Sequence, residues 1–142
     1  MNPDVVHFSG HGADTGDLVL ESTDSSAKFV TKEAITQTIM ASSDKLHLLV
    51  FNACFSYEQA QAVVNNVDAA IGMTTTIDDR AACSFAAQFY SSLGFGFSVK
   101  KAFEQAKGIM MIEPPMEANA PMLFAKDGID TDELYIVRPI VD

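Results

Sequence analysis

The sequence has few of the residues on which disulfide-rich secreted domains and nucleic-acid-binding proteins depend. It has no tryptophan, two cysteines, and nine Lys or Arg residues against 19 Asp or Glu residues, which gives a formal net charge of −10. Two cysteines outside a Cys-x-x-Cys pair do not form the disulfide framework of a small secreted domain. Scattered basic residues argue against nucleic acid, whose binding relies on Lys and Arg neutralising phosphates. We therefore expect reduced thiols and no nucleic-acid partner.

Long hydrophobic segments are also missing. No apolar run approaches the roughly 20 residues that cross a bilayer, and the N-terminus does not have the basic-then-apolar pattern of a signal peptide. The chain does have 142 residues, of which 48% are hydrophobic, enough for one domain around a real core. We expect a single domain over residues 1–142 that is soluble, cytoplasmic and without a membrane partner.

Apolar runs of strand type alternate with segments of helical periodicity. Strands are predicted within 5–12 and at 18–20, 47–52, 67–73, 122–125 and 134–138, helices at 31–41, from 57, at 80–93 and from 99, and a loop at 21–28. Most strands are apolar on both faces, which is typical of a parallel sheet covered by helices. The pattern predicts an α/β fold of three layers, a mostly parallel sheet with helices on both faces.

Two of the predicted strands end in residues that carry chemistry. Cys54 follows the strand at 47–52 and precedes a helix for which Ser56 and Gln59 fit a capping box. A helix N-terminus favours anions, so a thiolate at Cys54 would be stabilised there. The alternative is that Cys54 is a small buried apolar residue, as many free cysteines are.

His11 ends the first strand between Gly10 and Gly12. The glycines allow a sharp turn, and the N–H of Gly12, with that of Cys54, could hold a developing oxyanion. The alternative is a polar turn in which the glycines only make the bend. Because ligands of parallel sheets bind beyond the C-terminal ends of the strands, His11, Cys54 and the loop at 74–79 are expected at one edge.

Other site types fit the sequence less well. His7 and His11 have the spacing of a helical zinc pair, but four residues along a strand separate side chains by roughly 13 Å, so we expect no metal. The glycines at 10 and 12 begin a dinucleotide motif, yet Thr15 stands where its third glycine belongs, so we expect no cofactor. His7, His47 and Cys83 are interpreted as structural.

Asp78 and Asp79 stand at the start of the helix predicted at about 80–93, where the N-cap and first turn are expected. Acids are favoured at the N-cap and in the first turn of a helix, so a capping role is expected for at least one of them. A carboxylate at this edge of the sheet could also bind a basic group of a substrate.

The motifs at 7–12 (His-Phe-Ser-Gly-His-Gly) and 51–56 (Phe-Asn-Ala-Cys-Phe-Ser) together resemble the caspase-like cysteine peptidases. More narrowly, the chain resembles the CHAT domain, a caspase-like module often found with tetratricopeptide repeats in bacteria. The resemblance continues through 71–73, Asp78, the helix with Phe85 and Phe89, 96–103 and 121–124. It covers nearly all of the chain.

The resemblance implies a caspase-like sandwich and a cysteine endopeptidase with a dyad of His11 and Cys54. Backbone N–H groups of Gly12 and Cys54 would bind the oxyanion, and no third catalytic carboxylate or cofactor is implied. Relatives that cleave after Arg or Lys often carry an acid where this chain has Asn52. Specificity for a basic side chain therefore does not transfer from these relatives, although Asp78 leaves it open, and Asn52 and Asp78 are the candidates for binding the substrate.

The resemblance also implies partners. The substrate would be a protein or peptide, and activity would be regulated by a partner protein or by attached repeats. Strands that precede the histidine strand in caspase-like folds are absent, so we expect an N-terminally truncated domain, and its exposed first strand could form a homodimer. The alternative function is a catalytically silent caspase-like module used for protein interaction.

Overall fold

A computed structural model of the chain describes residues 4–9, 11–12, 18–21, 27–42, 46–112 and 118–137. In these residues the elements follow the order β1 Val5–Ser9, β2 His11–Gly12, β3 Leu18–Glu21, β4 Ala27–Val30, α1 Lys32–Ser42, β5 Leu48–Asn52, α2 Tyr57–Val63, β6 Ala69–Met73, α3 Asp79–Gly94, α4 Val99–Ile112 and β7 Pro121–Ala125. They form one four-stranded and one three-stranded sheet.

The larger sheet has the strand order β1-β5-β6-β7. β1 pairs with β5 in parallel, from Val5 opposite Leu48 to Ser9 opposite Asn52, and β5 pairs with β6 in parallel. Only β7, at one edge, is antiparallel to its neighbour. The prediction of a mostly parallel sheet is confirmed, and β1 is the opposite edge within the described part of the chain.

Side chains alternate between two cores because successive residues of a strand point to opposite faces. On one face Leu48 and Val50 pack with residues of α3 and α4. On the other face Leu49 and Phe51 pack with residues of α1 and α2. The predicted three layers, with helices on both faces, are therefore confirmed.

Gly72 brings α2 into direct contact with β6. A Cβ atom at this position would lie 2.7 Å from Ser56 O, 2.7 Å from Tyr57 Cα and 2.9 Å from Ala60 Cβ. Real Cβ atoms do not come that close to backbone atoms, so only glycine fits here without a shift of the main chain. This contact sets the position of the turn between β5 and α2.

Three predicted helix starts are confirmed by hydrogen bonds. Thr31 Oγ1 accepts from Ala34 N at 3.1 Å, and Ser98 Oγ accepts from Lys101 N at 3.2 Å. Asp78 is the N-cap of α3, since its Oδ1 accepts from Arg80 N at 2.8 Å. Each cap satisfies one of the N–H groups that the first turn leaves without a helical partner.

The loop predicted at 21–28 is wrong at both ends. Glu21 ends β3, and Ala27 begins β4, which pairs antiparallel with β3. The Ser and Thr residues between them suggested a long loop. The pairing of β3 with β4 instead extends each strand into the predicted loop. Residues 22–26 lie outside the described residues.

The strand predicted at 134–138 is also wrong for the described residues 134–137, which are irregular. The main chain at 131–134 accepts hydrogen bonds from the first turn of α4 instead: Thr131 O accepts from Lys100 N at 3.0 Å, and Leu134 O accepts from Val99 N at 2.8 Å. Leu134 and Ile136 pack on the core beside α3 and α4. The apolar alternation therefore reflects docking against a helix and not sheet pairing.

No helix in the described part of the chain is long and apolar enough to span a bilayer.

Candidate active site

The two motif strands end side by side. Ser9, the last residue of β1, pairs with Asn52, the last residue of β5. His11 follows Ser9 by two positions, and Cys54 follows Asn52 by two positions. The main chain therefore carries both candidate residues out of the sheet from the same level of its C-terminal edge, where parallel sheets bind their ligands.

Residues 53–56 form a tight turn between β5 and α2. Phe55 has a φ of 56°, in the left-handed region that a non-glycine residue adopts only when its surroundings hold it there. Ser56 supplies part of that support, because its hydroxyl bonds to Phe51 O at 2.9 Å and Ala53 O at 2.6 Å and accepts from Met73 N at 3.0 Å. One side chain thus ties the turn to the ends of β5 and β6.

The capping box predicted at Ser56 and Gln59 is wrong. Ser56 precedes α2 as expected, but its side chain makes no capping hydrogen bond, since the hydroxyl donates within the turn at 53–56 instead. Gln59 has no exposed surface, and its amide has no hydrogen-bond partner among the described residues. The buried face of α2 thus holds an unpaired amide where the capping box expects a hydrogen bond.

The sulfur of Cys54 contacts the loop that follows β6. Ile77 N–H donates to Cys54 Sγ at 3.2 Å, and the thiol donates to Ile77 O at 3.5 Å. Phe55 N–H donates to Thr75 O at 3.1 Å in the same contact. The turn at 53–56 and the loop at 74–78 therefore form one hydrogen-bonded unit around a half-buried thiol.

The main-chain N–H of Cys54 makes no hydrogen bond within the part of the chain that the structure describes. Its neighbour Phe55 has its own N–H occupied by Thr75 O. Of these two donors beside the sulfur, only that of Cys54 remains available to another group.

Asn52 lies below Cys54 with 6% of its surface exposed. Its Nδ2 donates to Ala82 O in the first turn of α3 at 2.9 Å. Its Oδ1 is buried and has no partner among the described residues. A buried carbonyl oxygen without a donor costs about 1–3 kcal/mol, so Asn52 holds an unused acceptor at the end of β5.

The short strand β2 consists of His11 and Gly12. They pair antiparallel with β3, His11 opposite Val19 and Gly12 opposite Leu18. The sequence predicted the strand at 18–20 but not this pairing, so the structure adds that β2 is held by the smaller sheet.

The remaining His and Cys residues lie elsewhere. His47 precedes β5, with Nδ1 2.5 Å from Asp68 Oδ2, and Cys83 is exposed on α3. His7 lies on β1 with Nδ1 2.7 Å from the hydroxyl of Tyr90, and the two rings meet edge to face. Within the described ranges no three His, Cys, Asp or Glu side chains cluster as metal ligands do.

The His7 contact predicts a pH dependence of stability. Burial lowers the pKa of His7 and raises the pKa of Tyr90 to about 12. Because the unfolded chain takes up the His7 proton at an ordinary pKa near 6.5, unfolding binds protons below that pH, and the free energy of unfolding should fall as pH drops from 7 to 5. Urea unfolding of His7→Gln should show a shallower fall than the wild type over this range.

Tyr90→Phe is the matched control, because it keeps the ring that covers His7 and removes only the hydroxyl. Its pH dependence should follow that of the wild type. A His7→Gln curve parallel to the wild-type curve would mean that His7 does not contribute.

Sequence reasoning missed the part that the loop after β6 plays at the sulfur. The loop was expected at this edge, but the groups that reach the turn are the backbone N–H and C=O of Ile77 and the C=O of Thr75. Every residue has such groups, so no side-chain signal marks them.

Taken together, these features define a parallel α/β protein with a cysteine on a strained strand–turn–helix at the C-terminal edge of its sheet and a histidine strand beside it. Comparison with protein families gives the same class: the CHAT domain family matches residues 1–126. The chain belongs to the CHAT domain family, as its motifs predicted. This family is associated with caspase-like cysteine peptidases. No curated protein matches the chain.

Proposed function

We propose that the chain is a caspase-like cysteine endopeptidase domain in which His11 and Cys54 form the catalytic dyad. The observation that carries the proposal is the pairing of Ser9 with Asn52, which ends both motif strands at one level of the sheet. Membership of the CHAT family supports the same chemistry.

In the proposed reaction His11 takes the proton of the Cys54 thiol, and the sulfur attacks the carbonyl carbon of the scissile peptide bond. The carbon–nitrogen bond breaks as His11 gives the proton to the leaving amine, which leaves an acyl group on Cys54. His11 then takes a proton from water, the hydroxide attacks the thioester, and Cys54 leaves and regains its proton. The net change is hydrolysis of one peptide bond.

The oxyanion of each tetrahedral intermediate is assigned to the backbone N–H groups of Gly12 and Cys54. The N–H of Cys54 supports this assignment, because it has no partner among the described residues and lies in the same residue as the attacking sulfur. Phe55 is the less suitable donor, since its N–H already bonds to Thr75 O.

The side chain of the substrate is assigned to Asn52 and Asp78. Asp78 offers an exposed carboxylate at the start of α3, and Oδ1 of Asn52, which has no partner among the described residues, is a buried second acceptor that a substrate donor would reach only when the site opens. Both groups are acceptors, which favours a substrate side chain that carries N–H groups. The substrate is a protein or peptide, and a partner protein or attached repeats would regulate access to the site.

Alkylation with iodoacetamide tests the dyad without knowledge of the substrate. Near pH 7 Cys54 should react at least about tenfold faster than the exposed Cys83, because in the proposed dyad His11 takes the proton from its thiol. His11→Ala should reduce this advantage. Peptide mass spectrometry measures both thiols in one sample, so Cys83 is an internal control.

If Cys54 reacts no faster than Cys83 and is indifferent to His11→Ala, the dyad is wrong. That result would instead favour a catalytically silent module that uses the same fold for protein interaction. The homodimer expected from the edge of β1 stays a prediction.

A further inference from the structure

We infer that the backbone N–H of Ile77 is a second stabilising group for the reactive sulfur, so that the loop at 74–78 sets the reactivity of Cys54. This inference rests on the proposed function for its meaning, because the thiolate it concerns is the proposed nucleophile. It adds a main-chain donor from the loop after β6 to a site whose two motifs follow β1 and β5.

The geometry favours this donor over the start of α2. Ile77 N lies 3.2 Å from Cys54 Sγ, within reach of a hydrogen bond to sulfur. The helix α2 begins only at Tyr57 and has seven residues, and no N–H of α2 bonds to the sulfur in the described structure. The inference assigns to this loop, by a direct hydrogen bond, the kind of stabilisation that the sequence predicted from the helix.

The Ile77 peptide groups distinguish the two forms of the sulfur. The neutral thiol can donate to Ile77 O at 3.5 Å while it accepts from Ile77 N–H. The thiolate has no proton to donate, but it accepts from the N–H more strongly, because a hydrogen bond to a charged group is worth more than one between neutral groups. The N–H thus stabilises the reactive form most.

The donor is held in place before any substrate binds. Ile77 has 7% of its surface exposed and belongs to the core formed with α3 and α4. The next residue, Asp78, caps α3, and Thr74 N–H bonds to Ala120 O at 2.7 Å on the other side. A donor fixed on both sides needs no reorganisation when charge develops on the sulfur.

An amide-to-ester replacement at Ile77 tests the inference, because it removes the N–H and keeps the side chain. The chain offers a direct route, since Cys54 and Cys83 allow a synthetic segment 54–82 to be joined by native ligation at both ends. The ester should lower the rate of Cys54 alkylation at pH 7 by on the order of tenfold, and leave the rate unchanged at a pH where the thiol is fully ionised.

Two matched proteins complete the experiment. The all-amide protein made by the same ligation is the reference, and an ester at Thr76 weakens the Thr75 carbonyl that binds Phe55 N–H while it keeps the Ile77 N–H. The Thr76 ester should react much as the reference does at pH 7. Equal rates for the Ile77 ester and the all-amide protein at every pH would overturn the inference.

A second measurement decides the question if the Ile77 ester does not fold. In the ¹⁵N-labelled chain, the Ile77 amide proton should shift as Cys54 ionises, and Cys54→Ala should abolish that shift. An Ile77 amide that does not respond to ionisation of Cys54 would overturn the inference. Neither readout needs a substrate or His11, so failure of the dyad would appear separately, as an absent effect of His11→Ala.

Discussion

Cys54→Ala should abolish peptide-bond cleavage and leave the fold intact. Loss of a catalytic nucleophile typically lowers kcat on the order of 10⁴-fold or more, because no other group can form the acyl intermediate. The thiol is half-buried and contributes two weak hydrogen bonds with Ile77, so its removal should cost only about 1 kcal/mol of stability. Cleavage can be measured with a library of fluorogenic peptide amides, varied at the residue before the scissile bond.

Cys83→Ala is the matched control, since it removes the other free thiol from an exposed position on α3. It should leave both cleavage and alkylation of Cys54 unchanged, whereas His11→Ala should reduce cleavage about as severely as Cys54→Ala. Cleavage by the Cys54→Ala variant at the wild-type rate would show that another residue is the nucleophile.

The largest effect on folding is expected from Gly72→Ala. The added methyl carbon would lie 2.7 Å from both Ser56 O and Tyr57 Cα. A clash with main-chain atoms cannot be relieved by a change of side-chain rotamer. We expect a loss of about 3 kcal/mol in the free energy of unfolding, measured by urea denaturation. Because Ser56 also ties the turn at 53–56 to β6, alkylation of Cys54 should change as well.

Gly108→Ala is the control for this change, because it adds the same methyl group within α4 at a position where nothing beyond the neighbouring helix backbone lies within 4 Å. Alanine is the better helix former, so this variant should gain about 1 kcal/mol. Similar stabilities for the two variants would show that the contact between α2 and β6 is not tight.

Much of this structure follows from short-range signals in the sequence. Thr31, Asp78 and Ser98 are caps that the local pattern identifies, and the buried positions Val99, Ala102, Phe103, Ala106 and Met110 of α4 follow from helical spacing alone. The apolar runs at 48–52 and 69–73 are strands that are buried on both faces. Parallel topology then places their C-terminal ends at one edge.

The predictions that failed concern groups whose partners are distant in sequence. Ser56 is the N-cap residue of α2, as predicted, but its hydroxyl accepts from Met73 N, 17 residues away, and makes no capping bond to α2. The segment at 134–137 alternates like a strand, yet its carbonyl at Leu134 caps α4. The donor at Ile77 is a main-chain group, which no residue type reveals. Local patterns predict elements well, but tertiary contacts decide what their polar groups bind.

The division of the interior into two cores makes tolerance to mutation unequal on the two sides of the sheet. Ile77 and Cys54 belong to the core shared with α3 and α4, whereas the core beneath α1 contains neither. A change of volume at Phe85 or Phe103 therefore acts on the layer that holds the sulfur and its donor, while one at Ile35 or Ile39 acts on the opposite layer. Substitutions at Phe85 or Phe103 should therefore alter the surroundings of Cys54 more than substitutions at Ile35 or Ile39 do.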